Sequence, residues 1–162
     1  MDGDLVKAVE NFTKSLEIYR RIGDHIFITW TLLPLANMSF VNGDLDQATE
    51  FYEQSIGIMH EIGDLHGIGA VSLGLGLLAQ SRGDSDESEQ LLAEAQTKLR
   101  EGGGGQGLSW PISNVLLDTS TSETLIATTD RYQASLSLPA AEWVRMVCSD
   151  GEEFRARMNA GS

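Results

Sequence analysis

Cysteine is almost absent from the chain: Cys148 stands alone among 162 residues. No internal disulfide can staple the fold, and a reducing compartment is compatible with it. Cations are scarce as well. Eleven Lys and Arg face 24 Asp and Glu, for a net charge of −13. Both parts of the chain share the excess, with 16 acids against 7 bases in residues 1–100 and 8 against 4 in 101–162. A phosphate backbone or an anionic membrane needs a basic footprint, so neither nucleic acid nor membrane is expected as a partner. Long apolar runs are missing too. The charge-poor stretches 26–43 and 67–81 are broken by Gly, Asn, Ser, Thr and Gln, and read as buried helices rather than spans. No charged-then-apolar leader opens the chain at Met1, so no export signal is read and a cytoplasmic location is expected. His25, His60 and His66 are the only histidines, and no Cys or His pair has zinc spacing. Neither a metal nor a cofactor is expected.

What the chain does have is a ruler. Gly-Asp pairs stand at 3–4, 23–24, 43–44, 63–64 and 83–84, one every twenty residues. A fixed period in this range is the sign of a stacked repeat array. Glycine just past a helix takes the left-handed conformation without a Cβ penalty, and Asp next in line caps the following helix. The unit is then a helix of about fifteen to eighteen residues closed by a tight turn. Ile22 and Ile62 precede two of the pairs and are expected to pack across the corner.

Superposing the chain on itself at forty residues reveals two helix types. Ala8 falls on Ala48 and Ser88, Phe12 on Tyr52 and Leu92, Leu16 on Ile56, and Tyr19 on Met59 and Leu99. These places are spaced as one face of a helix. In the other set, Trp30 falls on Ala70 and Trp110, and Leu35 on Leu75 and Val115. Charged, amphipathic helices are expected over 5–22, 45–62 and 85–100. Almost uncharged ones are expected over 25–41, 65–81 and 107–117, with a further helix over 122–137.

Leu75-Gly76 with Gly83 seven residues on, and the sets Ala8–Phe12–Leu16 and Ala48–Tyr52–Ile56, give this pattern its family likeness. It resembles the tetratricopeptide repeat, whose usual unit is about 34 residues. A period of forty is similar to the longer variety found in bacterial signal-transduction ATPases, cyclases and helix-turn-helix transcriptional regulators. The resemblance covers residues 3 to about 100. It fades through 107–137, where Thr128 takes the small-residue place while Tyr132 and Leu136 still fit. It implies an all-α fold: a tetratricopeptide-like helical-hairpin solenoid, coiled as a right-handed superhelix, in a single domain over 1–158.

Departures from the ruler carry their own expectations. The glycine run 101–107 replaces a Gly-Asp turn; it follows a helix and lacks the P-loop Lys, so it reads as a linker. Pro111 fits near the first turn of its helix, whereas Pro34 sits inside one and is expected to kink or interrupt it. Short helices over 140–148 and 152–158 are expected to form a C-terminal cap, with 159–162 frayed. At the other end, the first charged helix lacks an uncharged partner before it. Either the chain is a piece of a longer array, or another chain covers that side.

In tetratricopeptide arrays the first helix of each pair lines a concave groove. Carried over, the groove places are Trp30, Leu33, Asn37 and Phe40, then Leu73, Leu77 and Gln80, then Trp110, Ser113 and Leu117. Aromatics on a concave face suit an apolar or amphipathic peptide. Burial of these helices on both sides would equally remove their charges. Arg82-Gly83-Asp84 falls on the turn ruler, and the acids of 84–89 lack EF-hand spacing, so they read as a turn and an acidic first helical turn. No nucleophile with an orienting partner is legible, and catalysis is not expected. The function expected is a protein- or peptide-binding scaffold or sensor module of a bacterial regulatory protein. Two alternatives stand beside it: a homodimer through the first helix, protecting Phe12, Leu16 and Tyr19, and a small-molecule or lipid pocket beside Trp110.

Overall fold

The computed structural model describes residues 3–102 and Pro139. Among them are five α-helices and no strand: α1 (Gly3–Ile22), α2 (His25–Val41), α3 (Leu45–Ile62), α4 (Leu65–Arg82) and α5 (Ser85–Glu101). Their limits lie within two residues of those read from the periodicity. Each helix packs against the next, and α2 also touches α4, so the hairpins form one contiguous arrangement. The helices, cap and tail expected beyond residue 102 lie outside the described residues.

The Gly-Asp pair both closes one helix and opens the next. Gly23, Gly43, Gly63 and Gly83 have φ of 78°, 83°, 71° and 86°, the left-handed region that only glycine enters without strain. The Asp behind each glycine sends its N–H back five residues, from Asp24 to Tyr19, Asp44 to Ser39, Asp64 to Met59 and Asp84 to Ala79, at 2.9–3.2 Å. This bond satisfies a carbonyl that the helix end would leave orphaned. The carboxylates of Asp24, Asp44 and Asp64 then accept the N–H of Phe27, Gln47 and Gly67 at 3.2, 3.1 and 3.0 Å.

Two pairs depart from this plan. Asp84 makes no side-chain cap bond; Asp86 and Glu87 place negative charge at the positive end of the α5 dipole instead. The Gly3-Asp4 pair lies within the first turn of α1 rather than ahead of it.

Pro34 does not interrupt α2, which runs unbroken from His25 to Val41. A proline removes one backbone donor from the ladder. Leu32, Leu33, Leu35 and Ala36 on either side are all buried, and their packing holds the segment helical. Ile22 and Ile62 do not pack across their corners either; they are 69% and 43% exposed. At each corner the packing contact comes one turn earlier, Tyr19 against Phe27 at the first and Met59 over Gly67 at the second.

The interior has two parts. Leu16, Ile28, Leu32 and Leu35 join α1 to α2, with Val9, Phe12, Tyr19 and Phe51 packed against them. Leu33, Phe40, Tyr52, Leu73, Leu77, Leu92 and Leu99 run through α2 to α5. Burying each such side chain stabilises the fold by about 1.5–3 kcal/mol. Glycines let α4 sit close to both neighbours. A Cβ at Gly74 would lie 2.5 Å from the Tyr52 ring, and one at Gly76 would lie 2.7 Å from Leu92. The Ser88 hydroxyl crosses the second approach to donate to the Gly76 carbonyl at 2.9 Å. Arg82, at the end of α4, reaches Thr49, Asp46 and the Leu45 carbonyl of α3 at 2.9, 3.2 and 3.3 Å.

Candidate functional site

The structure divides the expected groove residues. Leu33, Asn37, Phe40, Leu73 and Leu77 are each no more than 3% exposed, and in this arrangement they serve the interior. Gln80 is half-buried. Trp110, Ser113 and Leu117 lie outside the described residues. Trp30 is the exception, with 57% of its surface open. The residues expected to meet a second copy turn the other way. Leu16 is buried, and Phe12 and Tyr19 pack with it against α2, so that side of α1 is already occupied.

The exposed apolar side chains gather at one end of the helix array. Among the described residues Val6, Ile18, Ile22, Ile26, Phe27, Trp30, Ile62 and Leu65 are the large ones, and all but Val6 lie near the turns at 23–24 and 63–64. Three rings form a ladder there. Tyr19 stacks on Phe27 with centroids 5.0 Å apart and planes 17° apart, and Phe27 meets the edge of Trp30 at 5.7 Å and 68°. Ile26 and Phe27 precede Trp30 by four and three residues, so all three share the first two turns of α2. Around them, Arg20 donates to Gln54 at 2.5 Å and His25 lies 3.9 Å from Glu61.

Sequence reasoning missed Ile26 and Phe27 as surface residues, although the signal was present. At forty residues Ile26 falls on His66, Phe27 on Gly67 and Trp30 on Ala70. A ring in place of a glycine cannot be covered by the side chain that covers the glycine, so it lies beside its neighbour and stays open.

Two polar features complete the picture. Tyr52 is fully buried and donates its hydroxyl to Asn37 Oδ1 at 2.6 Å, and burial pushes its phenol pKa far up. Asn37 Nδ2 is buried without a partner among the described residues. At the opposite end of the array, Gly83, Asp84, Ser85, Asp86 and Glu87 line an open depression of about 420 Å³. No three His, Cys, Asp or Glu side chains among the described residues come together closely enough to hold a metal ion, and no described helix is long and apolar enough to cross a membrane. No family model, curated protein or solved structure matches the chain.

Proposed function

We propose that the chain is a helical-repeat binding module of the tetratricopeptide type, whose hairpins continue as a right-handed solenoid. Its role is recognition rather than catalysis, as the scaffold or sensor part of a bacterial regulatory protein. The observation that carries this reading is the Tyr19–Phe27–Trp30 ladder, with Trp30 57% exposed at its open end. Tryptophan and its aromatic neighbours dominate the binding energy of many interfaces because they bury a large rigid area at small entropic cost. Holding Trp30 against Phe27 before binding reduces that cost further.

The occupant that fits is a peptide segment with an apolar anchor and no excess of negative charge. Residues 42–102 hold twelve Asp and Glu against three Lys and Arg, and would repel an acidic segment. A displayed library of amphipathic peptides, selected on the full chain, tests the reading. Selected peptides are expected to lose about thirtyfold in affinity on Trp30→Ala, the scale of a hot spot. Thermal unfolding of that variant is expected to change little, because the ring is mostly in solvent. Peptides that bind the variant as well as the parent would remove Trp30, and this reading with it.

A further inference from the structure

The outward face of α1 is unlike that of any other described helix. At 3.6 residues per turn, Glu10, Lys14, Glu17 and Arg21 fall on one stripe about 60° wide. All four are exposed, and none forms an ion pair among the described residues. Their signs alternate along the helix. Laid antiparallel against an identical stripe, with the twofold axis midway between Lys14 and Glu17, Glu10 comes opposite the partner's Arg21 and Lys14 opposite the partner's Glu17. Ile18 and Ile22, 51% and 69% exposed, border the stripe on one side, and Val6, 39% exposed, borders it on the other.

We propose that this face binds a second copy of the chain as an antiparallel α1–α1 pair. Charge is the argument for that occupant. Residues 3–41 carry four Lys and Arg against four Asp and Glu, whereas residues 42–102 are strongly acidic. Two chains of net charge −13 therefore approach with least repulsion through α1. The other described helices offer no such match. On α3 the exposed Asp46, Glu50, Glu53 and Glu61 are all acidic, and on α5 Lys98 is bonded to Glu101 at 3.0 Å. Burial of Val6, Ile18 and Ile22 would supply the affinity; exposed ion pairs add little and mainly set register. The pairing does not depend on the peptide-binding reading, which uses the α2 aromatics.

Sedimentation equilibrium of the full chain across a wide concentration range tests it. The weight-average mass is expected to rise from 17.6 kDa toward twice that value. Lys14→Glu sets like charge against the partner's Glu17 at both symmetry-related contacts and is expected to weaken the dimer about tenfold. Glu17→Lys alone does the same against Lys14. The two substitutions together exchange the signs, restore each contact and return the mass curve to that of the parent. Ile18→Gln, which leaves every charge in place, also weakens the dimer, and circular dichroism checks that α1 stays helical throughout. A chain that remains monomeric overturns the proposal and leaves the face to another partner. A dimer indifferent to the single reversals, or not rescued by the exchange, overturns it equally.

Discussion

The corners α1–α2 and α3–α4 stand forty residues apart and are built from opposite materials. At the second, Met59 lies over Gly67 and Ala70 is 2% exposed, so the corner is shut. At the first, the same places hold Tyr19, Phe27 and Trp30: Tyr19 stacks on Phe27, Phe27 meets Trp30 in an edge contact, and the indole stays exposed. The turns themselves are alike: both have a left-handed glycine, an Asp N–H returning five residues, and a capping carboxylate. Turn chemistry therefore makes a hairpin, and side-chain volume beside the turn decides whether its corner becomes interior or surface. A second contrast runs deeper in the molecule. The buried Asn37–Tyr52 hydrogen bond of the first repeat is replaced forty residues later by Leu77 and Leu92, both buried. At these two places the first repeat uses a polar bond and the next uses apolar packing, within the same buried cluster.

The sharpest way to break this comparison is to exchange volumes. Ala70→Trp forces a large ring into a filled corner and is expected to cost about 3 kcal/mol or more in a urea titration. A variant as stable as the parent would show that the second corner can open as the first does.

The polar contrast predicts a smaller effect. Tyr52→Phe leaves the Asn37 carboxamide buried without its remaining bond and is expected to cost about 1–3 kcal/mol. Adding Asn37→Leu, which copies the Leu77–Leu92 arrangement, is expected to recover most of that loss, because replacing both partners removes the orphaned group. The pH dependence has a defined sign. Burial raises the Tyr52 phenol pKa in the folded state, so its contribution is complete below the unfolded value of about 10 and is lost as pH rises beyond it. Tyr52→Phe is therefore expected to flatten the alkaline limb of a stability profile. An unchanged limb would assign alkaline unfolding to other groups.

The smallest difference lies between turns. Asp44→Ala removes the bond to the Gln47 N–H and is expected to cost about 1 kcal/mol, while Asp84→Ala, which removes no cap bond, should stay within about 0.5 kcal/mol. Equal losses at both sites would mean that charge near the dipole, not the cap hydrogen bond, carries the effect.

The helices were legible because their punctuation is local. A Gly-Asp pair states where one helix stops and the next starts, and it does so from the conformational freedom of glycine and the reach of a short carboxylate. Pro34 shows the limit of such signals: a residue that argues for a break is overruled when its neighbours on both sides are buried. Asp84 shows the same limit at a cap, where the residue type is right and the hydrogen bond is absent. The candidate surface was legible only in part. Trp30 stood out, with Trp110, as an aromatic member of a repeat position that Ala70 also holds, but Phe27 and Ile26 read as further apolar residues of an uncharged helix.

By itself, then, the sequence determined the helices, their order and the glycine turns that join them, because each depends on residues a few places apart. Only the tertiary structure decided which apolar side chains became interior. Leu33, Phe40 and Trp30 all lie on α2, but the first two are buried in the cluster that α2 shares with its neighbours α3 and α4, and the third is left open beside Phe27. Burial is a property of what lies on the other side of a contact, and no local pattern within α2 records that.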